Sequence, residues 1–214
     1  VAQTEQSLNN IGAILAKEGL NFEHVVSSTV YLKDMEDFAL MNSAYSARFN
    51  SLIKPSRTTI QAAKLPKSAR VEITCIALRN MNHKIHRINT EYAPQAIGPY
   101  SQAISAGPFL FLSGQIPMHP EGAAITVEDI EDQTEQVMNN MGAILAQANM
   151  SFDNVVSSTV YLQDMGDFAV MNKIYAGRFN NVVKPSRTTI QAAKLPKEAR
   201  VEITCIAFRN MSSL

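Results

Sequence analysis

Between Ile130 and Met150 the apolar side chains of Val137, Met141, Ile144, Leu145 and Ala148 recur at the spacing of an amphipathic helix. The pattern then changes. "NVVSSTVYLQD", Asn154 to Asp164, is β-branched and partly alternating, which predicts a strand. Asp167 is next placed to cap a second helix with Phe168, Met171, Tyr175 and Phe179 along one side. Upstream, Ser101 to Ala106 and Phe109 to Ile116 read as short strands around the turn Ala106-Gly107-Pro108, and "PMHPEGAA" reads as a loop. Downstream, Thr188 to Ala193 and Arg200 to Phe208 supply two more strands. The order β-β-α-β-α-β-β predicts an α+β unit with a sheet covered on one face by two helices.

Most of this pattern occurs twice. Sliding the 214-residue chain on itself by 130 positions aligns residues 1–80 with 131–210 without a gap, and 56 of the 80 pairs are identical. "KPSRTTIQAAKLPK" is repeated without change at Lys54–Lys67 and Lys184–Lys197. Such a period indicates tandem duplication of one domain-sized unit. The reading is a first unit over 1–82, without the first two strands, and a complete unit over 83–214. Val1 falls near the start of a helix, so the natural chain is expected to continue upstream by roughly 50 residues, by the same repeat arithmetic. Without those strands the first sheet should expose an edge and part of its apolar face.

Composition narrows the function. Nineteen basic residues balance nineteen acidic ones, so no global field gathers nucleic acid or an anionic membrane. No run approaches the roughly 18 apolar residues of a bilayer span. A cytoplasmic protein acting on a small molecule is expected. Cys75 and Cys205 occupy one position of the two repeats, inside "VEITCIA", and are expected to be reduced core thiols. His24, His83, His86 and His119 fall at unrelated places with no metal-ligand spacing, and no metal is expected.

Four motifs could carry chemistry. Pro185 stiffens the entry to a strand and presents Arg187 there, suited to a bidentate contact with a carboxylate or phosphate; a surface arginine satisfied by carbonyls fits the same pattern. In "ARVEITCIAF", alternation sets Val201, Ile203, Cys205 and Ala207 on one face and Glu202, Thr204, Ile206 and Phe208 on the other. Burial would raise the Glu202 pKa and a nearby Arg187 would lower it, and structural pairing with Arg187 or Arg200 is the competing role. Gly98-Pro99 sets a turn before Tyr100, and Ser113-Gly114 ends a strand where a ligand can approach the backbone.

The combination "AIGPYSQAI", "FLSGQIP", "VVSSTVYLQDMGDFAVMN", "PSRTTIQAAKLP" and "VEITCIA" resembles the RidA/YjgF family of reactive enamine/imine deaminases over residues 90–210, and residues 3–80 resemble its C-terminal two-thirds. The resemblance implies a chorismate-mutase-like fold and a homotrimer with a barrel-like centre and ligand clefts between adjacent subunits. It also implies hydrolysis of 2-aminoacrylate and related enamines or imines to 2-oxo acids and ammonia, without metal or organic cofactor. Carried over by motif, Arg187 would hold the substrate carboxylate and Glu202 would handle the attacking water. Tyr100 would line the ligand, Ser113 and Gly114 would shape the pocket floor, and Asn172 would line the cleft from a neighbouring subunit. Thr189 stands where several members carry a cysteine, and Thr204 replaces a second glutamate common in the last strand. Arg57, Glu72, Thr59 and Asn42 are the first-copy equivalents, with no first-copy partner for Tyr100 or Ser113.

Two other classes compete. A binding module could capture a small carboxylate with the same arginine and no turnover. An endoribonuclease-type translation inhibitor is opposed by the balanced charge, the missing histidine pair and the absence of tryptophan.

Overall fold

In a computed structural model of the chain, describing residues 1–79, 85–122 and 124–209, the periodicities become two copies of one layered unit. In the first, helix α1 (Ala2–Lys17) leads to strand β1 (Val25–Leu32), helix α2 (Phe38–Arg48) and strands β2 (Ser56–Gln61) and β3 (Val71–Ala77). In the second, strands β4 (Ile85–Ile88), β5 (Ala103–Ala106) and β6 (Phe109–Leu112) precede helix α3 (Ile130–Gln147), strand β7 (Val155–Leu162), helix α4 (Phe168–Arg178) and strands β8 (Ser186–Gln191) and β9 (Val201–Phe208). The expected unit boundary at 82/83 lies outside the described residues.

The sheets run β2-β1-β3 and β4-β5-β6-β9-β7-β8. In each, the strand after the first helix pairs in parallel with the strand after the second helix, and antiparallel with the last strand. Helices α3 and α4 cover one face of the larger sheet. Val137, Met138, Met141, Ile144 and Leu145 of α3 pack with Met171 and Tyr175 of α4 and with Val201, Ile203, Cys205 and Ala207 of β9. The smaller sheet repeats this with Leu8, Leu15, Met41, Tyr45 and Val71. The alternation of β9 therefore fixes which face Glu202 takes: the core claims the odd positions, and Glu202 is turned away from the helices.

Several boundaries differ from the sequence reading. β4 had no strand signal, because its Ile-His-Arg-Ile pattern is short, and it forms by pairing with the edge of β5. The segment expected to continue β6 to Ile116 leaves the ladder after Leu112, with Gln115 making an isolated bridge to Ile203. Asp167 does not cap α4 with its side chain. Its carboxylate binds Arg200 through two hydrogen bonds of 3.1 and 2.7 Å, and Asp164 caps the preceding short turn instead.

The two units meet along β2. Ser101 donates its N–H to Pro55 O at 3.0 Å, Gly114 donates to Arg57 O at 3.1 Å, and Gln61 donates to Lys194 O at 2.9 Å, with Ala193 N–H returning to Gln61 O at 3.0 Å. Ile60 fills an apolar pocket with Tyr161, Ala192, Leu195 and Ala199, and Val26 packs with Ile104, Ala106 and Phe111. The edge β3 remains open, with Ile76 exposed. Among the described residues, no helix is long and apolar enough to cross a membrane.

Candidate active site between the two units

Pro55 delivers Arg57 into β2 with its backbone clamped from the other unit. The Arg57 N–H donates to Ser113 Oγ at 2.9 Å, Ser113 Oγ–H donates to Ser101 O, and Gly114 N–H donates to Arg57 O. The guanidinium is buried between aromatic faces, its Cζ 5.0 Å from the centroids of Tyr45 and Tyr100 and 5.6 Å from that of Phe38. Tyr45 is fixed by a 2.7 Å hydrogen bond between its hydroxyl and Ser28 Oγ. Burial pushes the Tyr45 phenol up to about 12 and raises that of Tyr100, so both rings stay neutral and present π faces to the cation. Burial also pulls the Arg57 pKa down, against the opposing influence of Tyr45, Tyr100 and Glu202.

Glu202 faces this arginine from β9. The carboxyl group is almost fully buried, which pushes its pKa up to about 8, while Arg57 and a hydrogen bond from the Thr59 backbone N–H act in the opposite direction. Gly114 makes room for it. A Cβ built there would lie 1.8 Å from Glu202 Oε1 and 2.8 Å from its Cδ, so any side chain would evict the carboxylate. Gly98 plays a similar part toward the cation: a Cβ would lie 3.0 Å from Arg57 Nη2 and 3.5 Å from Asn42 Nδ2.

Arg57, Thr59 and Phe38 of the first unit, with Ile97, Tyr100, Gly114, Ile116, Pro196 and Glu202 of the second, line a cavity of about 30 Å³. Arg57 Nη1, Thr59 Oγ1, Glu202 Oε2 and nearby Asn42 Oδ1 are all buried without a hydrogen-bond partner. Buried polar atoms are normally satisfied, and three such atoms on residues lining one small cavity make it the candidate site for a polar ligand. Larger cavities exist, such as one of about 220 Å³ beside Val1, Asp37 and Arg70, but they bring together no such set.

The structure redistributes the residues singled out in the sequence. Glu202 meets Arg57, not Arg187, and Arg200 is engaged by Asp167 rather than by Glu202. Tyr100 and Gly114 of the second copy join Thr59 and Asn42 of the first around Arg57, so the second copy supplies the tyrosine and glycine for which the first has no equivalent. Ser113 is a strut behind the cavity that holds the Arg57 backbone, not part of its floor. Arg187 stacks on Tyr175 at 4.7 Å and Phe168 at 5.6 Å in the second unit, away from Glu202 and half-exposed. Thr189 lies two residues further along β8 with its Oγ1 also unpartnered, and Asn172 lies on α4. Glu72 is exposed on the open edge β3. Phe38, Ile97, Ile116 and Pro196 were missed. The repeat offers a signal for Phe38, since its counterpart Phe168 shares one side of its helix with Met171, Tyr175 and Phe179.

Among the described residues, no group of three or more His, Cys, Asp or Glu side chains is arranged to hold a metal ion. Both cysteines are free, and Cys205 is buried in the core with its thiol pushed up to about 12 by that burial.

Comparison with known proteins agrees with the repeat. The family model described as endoribonuclease L-PSP matches twice, over residues 1–79 and 90–209. A RutC family protein of Pyrococcus horikoshii is 51% identical over 122 residues, covering 57% of this chain and 96% of the relative. The 2-iminobutanoate/2-iminopropanoate deaminase of Salmonella typhimurium is 40% identical over 124 residues, covering 57% of this chain and 96% of its own length. The crystal structure of E. coli TdcF with bound serine superposes with a TM-score of 0.56 at 38% identity, covering 58% of this chain and 99% of that one.

Proposed function

This chain belongs to the endoribonuclease L-PSP family, which takes in the RidA/YjgF proteins, and on that premise we propose that it hydrolyses reactive enamine and imine acids of the 2-aminoacrylate type to 2-oxo acids and ammonia at a site shared by its two units. The observation that carries this reading is the opposition of Arg57 and Glu202 across one small cavity, each with an unpartnered polar atom. A guanidinium buried between aromatic rings offers a two-pronged contact to a planar carboxylate. The relatives named for 2-imino acid deamination and for bound serine support a small α-amino or α-imino acid as the ligand class.

The chemistry asks little beyond positioning and proton transfer. Protonation of the enamine at its terminal carbon gives an iminium ion. Water then adds to the C=N carbon and loses a proton. The resulting carbinolamine takes a proton on nitrogen, its C–N bond breaks, and ammonia leaves as the C=O forms. Glu202, with a pKa near 8, is protonated in part at neutral pH and serves as both donor and acceptor in these steps. Arg57 holds the carboxylate, and Gly114 leaves Glu202 the room to face the reacting carbon.

The family description also names RNA cleavage. None of the described histidines lines this cavity, and among the described residues Arg57 is the one basic side chain on its lining, which suits a single carboxylate rather than a run of phosphates. The test is release of ammonia and 2-oxo acid from freshly generated 2-aminoacrylate. Arg57→Lys and Glu202→Gln are each expected to lower kcat/KM by at least ~100-fold, whereas Arg187→Lys in the isolated chain should change it less than about threefold. Turnover that follows Arg187 and ignores Arg57 would overturn the shared site. No acceleration above the spontaneous rate by the parent chain would leave a carboxylate-binding module.

A further inference from the structure

Alternation sends Glu202 and Thr204 of β9 to the same side of the sheet, about 7 Å apart along the strand. They nevertheless meet different surroundings. Glu202 lines the small cavity with Arg57, whereas Thr204 lines a separate space of about 190 Å³ between the two sheets. The repeated Ser-Ser-Thr-Val-Tyr furnishes that space from both units, with Ser27, Thr29 and Tyr31 of β1 and Ser157, Thr159 and Tyr161 of β7. A space of that size lined by hydroxyls holds water.

One apolar layer separates the two. Tyr161 is 4% exposed and packs with Ile60, Leu195 and Ala199, and Tyr31 and Ile116 pack against this cluster. Ile116 lines the Glu202 cavity while Tyr31 and Tyr161 line the hydroxyl-bearing space, so the cluster has one face on each. Strand β2 divides in the same way, with Arg57 and Thr59 on the Glu202 cavity and Thr58 on the other. Tyr161 stands directly beside Glu202: the two are register partners of β7 and β9, and such partners in an antiparallel pair project to the same face. The first unit supplies a control. There Tyr31 pairs with Glu72 in the same register, yet Glu72 is exposed, so a neighbouring tyrosine buries the glutamate only when the layer is complete.

We infer that Tyr161, backed by Tyr31, seals the Glu202 cavity from the space between the sheets, and that Tyr161 is a positioning residue that keeps this carboxyl dry. The role rests on the hydrolytic reading above and deepens it, since a dry carboxyl can hold a proton at neutral pH and give it up within one turnover. Burial is the largest influence on Glu202 and raises it to about 8, with Arg57 and the Thr59 N–H opposing. The other titratable groups that face it among the described residues are Tyr100 and Tyr161, both phenols raised by burial, with Tyr31 beyond Tyr161. None of them brings a negative charge at neutral pH to hold the proton in place. Exclusion of water therefore carries the effect, and the tyrosine layer is what stands between Glu202 and the nearest hydroxyl-lined space.

Carbon-13 NMR of the glutamate carboxyls in the full chain, with the Glu202 signal assigned by its loss in Glu202→Gln, reads this titration without substrate. Tyr161→Ala opens the layer, and the Glu202 midpoint is expected to fall by at least ~1 pH unit, toward the ordinary carboxylate range. Tyr161→Phe keeps the ring and should leave the midpoint within about 0.3 units of the parent. Tyr31→Ala, at a half-buried position, should produce the same fall and decides the matter if Tyr161→Ala does not fold. The high-pH limb of kcat/KM should move with the midpoint in the alanine variants alone. An unmoved midpoint in a folded alanine variant would overturn the seal. So would a fall in Tyr161→Phe as large as in Tyr161→Ala, which would assign the effect to the hydroxyl. A fallen midpoint in the alanine variants of a chain that does not accelerate 2-aminoacrylate hydrolysis would keep the seal and end the turnover reading.

Discussion

The proton carried by Glu202 should be visible in stability as well as in rate. Burial raises this carboxyl from 4.5 in the open chain to about 8 in the fold. Below pH 4.5 both states hold the proton and the group has no differential effect. As pH rises from 4.5 toward 8 the unfolded state releases a proton that the folded state keeps, so stability falls by about 1.4 kcal/mol per pH unit and levels off above 8. The full difference amounts to roughly 4–5 kcal/mol, a large share of the stability of an ordinary domain. Glu202→Gln keeps the size and the acceptor for the Thr59 N–H but has no proton to lose. Relative to the parent, the variant should therefore be near-equal at pH 4 and gain steadily, to roughly 4 kcal/mol at pH 9. Urea midpoints of both proteins at pH 4, 5, 7 and 9 measure this, and contributions from other titrating groups cancel in the difference. Parallel pH profiles, or a parent that gains on the variant as pH rises, would refute the assignment of Glu202 as a buried carboxyl held protonated by desolvation.

Gly114→Ala puts a methyl group 1.8 Å from Glu202 Oε1, so 2-aminoacrylate turnover should fall by at least ~100-fold, with a stability loss of about 1–3 kcal/mol in urea. Full turnover in that variant would mean that Glu202 is not needed where it stands. Ser113→Ala removes the acceptor of the buried Arg57 N–H and the donor to Ser101 O, and denaturation should record a loss of about 1–3 kcal/mol. The pH profile of kcat/KM should show a limb near pH 8 from Glu202, and that limb should vanish in Glu202→Gln.

Local pattern was enough to read the layered α+β unit, the 130-residue repeat and the residue types of the site. Helices α3 and α4 and strands β7 and β9 follow from periodicity, because each must turn one apolar face to the same core. The alternation of β9 alone separates Glu202 from Cys205. Two kinds of feature were not legible. β4 and the departure after Leu112 depend on a neighbouring strand edge and on the room Glu202 demands, neither of which leaves a local signal. The pairing of Arg57 rather than Arg187 with Glu202 was equally hidden, since both arginines sit in fourteen identical residues. No property of the sequence around either one distinguishes them.

What the sequence by itself determined is therefore the set of parts: an arginine after a proline, a glutamate in mid-strand, a tyrosine after Gly-Pro, and a glycine closing a strand, in an order that marks the family. Only the tertiary structure decided which copy supplies each part. The site is made by docking β2 of one unit on the strip Ser101–Ser113–Gly114 of the other. That docking is a long-range event, governed by which edge finds a complementary surface, and it gives one arginine a buried carboxyl partner while its twin on β8 is left at an open edge.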